Sequence, residues 1–301
     1  MSRGAGQAMR QEATPPAPQL MPGSVCEIWG ALNVTPDSFS DGGQFFEPVR
    51  ALARAQEMLR EGADVIDVGG ESSRPAGATY GEGSMHVPVE EELARVLPVV
   101  RALARAGHRV SVDTVKAEVA RAVLDEGAQI INDVSCGQGP ELLERVARSG
   151  AELVLMHNRG RGQVSPPFTV YGFVVADVAR ELEEARERAE RAGVPRARIW
   201  FDPGVGFAKT AAQSMAVLAA LPRLVALGQR VLVGASRKSF IAKVAATPEG
   251  REPAPNERLP GTLASVLAAA HDGAHAVRVH DVAEAWQALA FDRALLEARP
   301  C

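Results

Sequence analysis

His108–Asp133, HRVSVDTVKAEVARAVLDEGAQIIND, contains one full copy of the unit from which the chain is built. A Val-rich run ends at Asp113, an amphipathic stretch follows over 115–126, and Gly127 turns the chain into a second apolar run, Gln129–Asp133. Short β-branched runs read as strands, and apolar residues at helical spacing read as a helix with a glycine stop. A strand apolar along nearly its whole length is one covered on both faces, which is the condition of a parallel sheet.

The same unit recurs on both sides. Strands are expected at 26–32, 63–70, 152–157, 198–202, 230–234 and 276–280. Helices are expected at 48–62, 88–107, 139–149, 172–193, 211–227 and 282–297, with a broken helical region over 236–272. Pro88 opens one of these helices and Glu90, Glu91 and Glu92 fill its first turns, where the helix dipole favours anions. The charged stretch 177–193 reads as a solvated outer face with i,i+4 ion pairs. Eight β-then-α units favour an α/β fold of the closed (β/α)8 TIM-barrel type, with an open doubly wound sheet as the alternative. A barrel takes roughly 250 residues, so 301 residues accommodate one barrel and a tail. Residues 1–22 are rich in Pro, Ala, Gln and Gly and read as a disordered tail, leaving 23–301 as one domain.

The composition, 46% apolar and 23% charged with a net charge of -4, is that of a globular domain. It carries no electrostatic footprint for nucleic acid or an anionic membrane. No uninterrupted apolar run reaches the roughly 18 residues of a membrane span. Cys26, Cys136 and Cys301 are far apart and show no metal-ligand spacing, so a reducing, cytoplasmic setting is expected.

Polar residues gather at the C-terminal ends of the strands: Asn33, Ser73 with Arg74, Asp113, Asn132 with Asp133, His157, Asp202, Ser236 with Arg237 and Lys238, and Arg278 with His280. In a parallel barrel those ends share one mouth. Arg278, His280, Lys238 and Arg74, with donors from Ser73 and Asn33, suit a polyphosphate. Asp113, Asn132 and Asp202 can accept paired N–H bonds from a flat, nitrogen-rich heterocycle. Blander roles compete. Asp202-Pro203-Gly204 could be only a turn, Asn132-Asp133 could cap helix 139–149, and His157 reads as structural. Asp67, inside a strand, reads as a partner in an internal hydrogen bond or charge pair, and His86, His108 and His271 as surface or loop residues. GVGFAKT (204–210) is no P-loop, because Ala208 stands where the glycine before the lysine is required.

The motifs NVTPDSFSDGG (33–43), GADVIDVGGESSRP (62–75), VSVDT (110–114), IIND (130–133), FDPGVGFAKT (201–210), GASRKSF (234–240) and RVHDV (278–282) together resemble the dihydropteroate synthase family of pterin-binding barrels. The resemblance implies condensation of (7,8-dihydropterin-6-yl)methyl diphosphate with 4-aminobenzoate, giving 7,8-dihydropteroate and pyrophosphate. It implies pterin contacts from Asp113, Asn132, Asp202, Phe207, Gly234 and Lys238. It implies diphosphate contacts from Asn33, Ser73, Arg278 and His280, with Asn33 also near Mg2+. The aminobenzoate pocket would be Phe39, Ser73, Arg74, Pro75, Phe207 and Ser236, and the catalytic set Asp113, Lys238, Arg278 and His280. The glycine-rich first and second loops would close over bound substrate. A homodimer is implied as well.

The chain departs from the family pattern at Ser73 (often Thr), at Ala76 inside the usual RPG, in a long loop to Val87, at Asn158 and at Ala208. The segment 246–260 reads as a flexible outer loop. Two other readings compete: a pterin-binding methyltransferase barrel, which would have no use for SRKSF, and a catalytically silent paralogue.

Overall fold

The computed structural model describes residues 26–34, 47–71, 87–159 and 168–298. Eight parallel strands close on themselves in chain order: β1 (Glu27–Asn33), β2 (Val65–Gly69), β3 (Val110–Asp113), β4 (Ile130–Asp133), β5 (Glu152–Met156), β6 (Ile199–Asp202), β7 (Arg230–Val233) and β8 (Ala276–Val279). β8 pairs back onto β1, with Trp29 opposite Arg278. The closed barrel is therefore the architecture, and the open sheet is excluded.

Around it run α1 (Glu47–Glu61), α2 (Val89–Arg105), α3 (Ala117–Asp125), α4 (Pro140–Ser149), α5 (Val174–Arg191), α6 (Ala211–Ala219), α7 (Leu221–Val225), α8 (Ser239–Val244), α9 (Leu259–His271) and α10 (Val282–Glu297). The helix expected over 211–227 is two helices, because Pro222 withholds an N–H at the start of α7. The broken region 236–272 resolves into α8, a 3-10 turn at Pro255–Glu257 and α9. The outer loop over 246–260 is anchored at its end. Arg258 is buried and donates from Nη1 to Arg237 O (2.8 Å) and from Nε to Pro253 O (2.9 Å).

Strand alternation creates two cores. Odd-numbered residues of β1 and β2 and even-numbered residues of β4, β5, β6, β7 and β8 point into the barrel, where Trp29, Val65, Ile130, Val154, Trp200, Leu232 and Ala276 form one packed layer. Their neighbours, among them Ile66, Val112, Ile131, Leu155, Phe201, Val231 and Val277, face outward and pack under the helices. Trp29 and Trp200 meet edge to face at 5.2 Å between centroids and fill the barrel's lower half. Their indole N–H groups donate downward to Glu27 (2.9 Å) and Glu152 (2.7 Å). These carboxylates in turn pair with Arg109 and Arg230. The lower end is thus plugged, and polar residues one layer higher line only the upper mouth.

Candidate active site

The register that closes the barrel also sets the site. Asn33 lies opposite Gly69, Gly69 opposite Asp113, and Asp113 opposite Asn132, so three strand-end side chains stand side by side around one arc of the mouth. Asn33 Oδ1 is 3.7 Å, and the Asp113 Cβ 3.8 Å, from where a Cβ on Gly69 would sit, so the missing side chain leaves the two in one space.

Arg278 enters this arc from β8. Its Nε donates to Asp67 Oδ2 at 2.5 Å, and its Nη2 lies 3.7 Å from Asp113 Oδ2. Asn132 donates from Nδ2 to the same Asp67 oxygen at 3.3 Å. Asp67 is therefore an internal charge partner, as its position in the strand predicts, and its partner is the arginine of the mouth. Burial, followed by the Asp67 carboxylate, pushes Asp113 up to about 7, while Arg278 pulls the other way. Asp67 Oδ1, Asn132 Oδ1 and Ser111 Oγ are buried without a hydrogen-bond partner among the described residues. Buried acceptors normally find donors, so this floor is suited to a ligand rich in N–H groups.

The opposite arc is built by the loop after β6. Asp202 is buried, and its Oδ1 accepts from Gly204 N at 2.7 Å. Burial raises its pKa, opposed first by the Lys238 ammonium. Lys238 donates to Val205 O at 2.6 Å and sits over the Phe207 ring, 4.0 Å from its centroid. Burial pushes Lys238 down to about 7, with Asp202 as the main opposing charge. Gly234 joins the two arcs. A Cβ there would lie 3.8 Å from both Arg278 Cβ and Asp202 Oδ2. At the rim, Ser236 Oγ and His280 Nδ1 are 2.9 Å apart, and His280 N donates to the same hydroxyl.

Asp113, Asn132, Asp202, Phe207, Gly234, Lys238, Arg278, Asn33, Ser236 and His280 are thus gathered at one end of the barrel. Phe39, Ser73, Arg74 and Pro75, together with the first two glycine-rich loops and His86, lie outside the described residues. Three strand-end polar residues make their contacts elsewhere, and of these Arg237 pairs with Asp281 and donates its backbone N–H to Thr262 Oγ1. Asp133 accepts from Ser135 and from Gly137 N and shapes the turn before α4. His157 is buried between Glu181 of α5 and Lys209. Lys209 has no role in the sequence reading: FDPGVGFAKT is rejected as a P-loop and enters the family resemblance as a block, and the lysine's partners, Gly204, Phe207 and His157, become visible only in the fold.

A parallel barrel with acids and amides at the floor of its mouth and cations above them defines a binder of a flat, N–H-rich heterocycle carrying an anionic arm. Residues 29–280 match the family model described as pterin binding enzyme. The chain is 44% identical over 277 residues to the dihydropteroate synthase of Mycobacterium leprae, covering 91% of this chain and 95% of that one. It superposes on Xanthomonas albilineans dihydropteroate synthase with 4-aminobenzoic acid with a TM-score of 0.82 and 43% identity, covering 92% and 95% of the two chains. The same enzyme in complex with 7,8-dihydropteroate gives a TM-score of 0.79 and 42% identity, covering 93% and 97%. The chain belongs to the pterin-binding enzyme family, and within it to the dihydropteroate synthases.

Proposed function

We propose that the mouth of the barrel joins (7,8-dihydropterin-6-yl)methyl diphosphate to 4-aminobenzoate, releasing pyrophosphate and 7,8-dihydropteroate in folate biosynthesis. The observation that carries the reading is the pairing of unmet acceptors with a guanidinium above them. Asn132 Oδ1 has no partner among the described residues, Asp113 and Asp202 line the same space, and Arg278 spans Asp67 and Asp113. Asp113, Asn132 and Asp202 accept the ring N–H groups of the pterin, and Lys238 and Phe207 close over it beside Gly234. Arg278, His280, Asn33 and Ser73 take the diphosphate. Ser236 and Phe207, with Phe39, Ser73, Arg74 and Pro75, take the aminobenzoate.

In the reaction the methylene C–O bond breaks, pyrophosphate leaves with the electron pair, and the arylamine nitrogen bonds the resulting carbon and loses a proton. The Arg278 and His280 cluster stabilises the departing anion, and Asp113 and Asp202 face the cation that develops at the pterin. No covalent nucleophile is needed. Burial, aided by Asp133, pushes the Cys136 thiol up to about 12, so it stays protonated.

Among the described residues no group of three or more His, Cys, Asp or Glu could hold a metal alone. Asn33 offers a hard amide oxygen at the mouth and would hold Mg2+ together with the diphosphate, which would supply neutralisation of leaving-group charge.

The reading extends to a homodimer, supported by Trp286, Phe291, Leu295 and Leu296, which leave much of their apolar surface exposed on α10. It extends also to the cytoplasm, which the free, buried thiols of Cys26 and Cys136 fit. No helix among the described residues is long and apolar enough to cross a membrane. The test is pyrophosphate release measured with each substrate alone and with both, across a Mg2+ series. Release that needs both substrates is expected, and release without aminobenzoate, or none with both, would overturn the assignment.

A further inference from the structure

The loop between β6 and α6 carries three residues with left-handed backbone, Gly204 (φ 61), Gly206 (φ 80) and Ala208 (φ 47). An alanine in that region is strained and persists only where its surroundings hold it. The accounting of its carbonyls shows what holds it. Val205 O accepts from Lys238 on the site side. Gly204 O (3.0 Å) and Phe207 O (3.1 Å) both accept from Lys209 on the far side, and Ala208 O accepts from the Tyr171 hydroxyl (3.0 Å). Lys209 Nζ is completed by His157 Nδ1 at 2.9 Å. Three acceptors around a buried amine match the three N–H donors of an ammonium group. His157 then receives through Nδ1 and donates from Nε2 to Glu181 (3.0 Å), which also pairs with Arg159.

We propose that Lys209 is a positioning residue for the pterin site: its ammonium group anchors from behind the loop that presents the Val205 carbonyl and the Phe207 ring to Lys238. The inference rests on Lys238 being a pterin contact. Two consequences separate this role from mere structural support. The first is mechanical. A Cβ on Gly206 would come within 2.8 Å of Lys238 Cδ, so the loop backbone lies directly against the lysine stem, and a shift of the loop moves Lys238. The second is electrostatic. Lys209 and Lys238 are two cations on either side of one loop. Burial, then the Lys238 charge, pushes Lys209 down to about 7, opposed by Asp202 and more weakly by Cys136 and Glu181. Lys238 itself faces Asp202, Arg278 and Asp113. His157 is held down at about 4 by burial and then by Lys209, so it stays neutral and keeps its accepting nitrogen. Repulsion between two cations is mutual, so loss of the Lys209 charge eases protonation of Lys238.

The chain contains four lysines, Lys116, Lys209, Lys238 and Lys243, so a spectrum of protein labelled with 13C at lysine Cε holds few enough signals to assign by substitution. In Lys209→Met the Lys238 titration is expected to move up by about one pH unit, the scale of a neighbouring charge. The alkaline limb of kcat/KM for the pterin diphosphate is expected to move the same way, with KM raised severalfold. Lys209→Gln, uncharged but able to donate to Phe207 O, serves if the first variant does not fold. A Lys238 titration and pH profile unmoved in the folded variant would overturn the proposal. Failure of both variants to fold would mark a structural role alone and overturn it as well. Pterin added to the wild-type protein checks the underlying assignment separately, since a Lys238 signal it leaves unmoved counts against the pterin site and not against the anchor.

Discussion

Arg278 binds Asp67 across the barrel, Nε to Oδ2, at 2.5 Å, two strands away around the ring. The guanidinium that takes the diphosphate arm on the proposed assignment is thereby fixed in direction before any substrate arrives. Preorganised charge of this kind stabilises a leaving anion without reorganisation during the reaction.

Arg278→Ala removes that cation. A charged hydrogen bond contributes about 1.5–3 kcal/mol, so pyrophosphate affinity should fall roughly 10- to 150-fold by calorimetry. Stability should fall too, because Asp67 is fully buried and loses its counter-charge. Unchanged pyrophosphate binding would remove Arg278 from the anion site.

Asp113 gives stability an unusual pH dependence. Its carboxyl is raised to about 7 by burial, whereas an unfolded aspartate titrates near about 3.9. Between those values the native state holds a proton that the unfolded chain has lost, so the contribution is full below about pH 4 and disappears as pH climbs through 7. Asp113→Asn carries no such proton. Urea midpoints at pH 5 and pH 8 should therefore fall further in the wild-type protein than in the variant, and parallel changes would refute the raised pKa.

Lys238→Ala is expected to cut kcat by ~100-fold or more, the scale of losing one buried electrostatic group in a reaction centre. Far-ultraviolet circular dichroism should remain native. A variant turning over at the wild-type rate would exclude Lys238 from the chemistry.

The loop after β6 predicts unequal responses at two of its positions. A Cβ at Gly204 would lie 2.0 Å from His157 O, so Gly204→Ala must displace the backbone just after β5 or the loop itself. A loss above about 3 kcal/mol is expected, with poor activity. Ala208→Gly relieves a strained φ but frees the unfolded chain and removes a buried methyl, so a net change under about 1 kcal/mol is expected. Equal midpoints for wild type and Gly204→Ala would show that the loop is not held as described.

The barrel and the strand-end site were legible because both depend on local pattern: Val/Ile runs that end in Asn33, Asp113, Asn132 and Asp202, followed by helical spacing. What the pattern could not display was facing. Asn132 and Asp133 are adjacent in sequence, yet one lines the mouth and the other binds Ser135, since alternate residues of a strand point to opposite sides. A strand apolar on both faces carries no periodicity to tell them apart. Asp67 read rightly as an internal pair, but its partner, Arg278, lies 211 residues away and no local signal names it. Pro222 did mark the break between α6 and α7, and the apolar spacing across it concealed the signal.

The plug of Trp29 and Trp200 with its Glu27–Arg109 and Glu152–Arg230 pairs makes the barrel a blind alley. Everything that reaches Asp113 and Asp202 must come and go by one doorway. On the proposed assignment the fused ring lies deepest, so it has to arrive before the arylamine can take the outer position. An arylamine already seated would bar the way behind it, and the joined product must back out as a single piece.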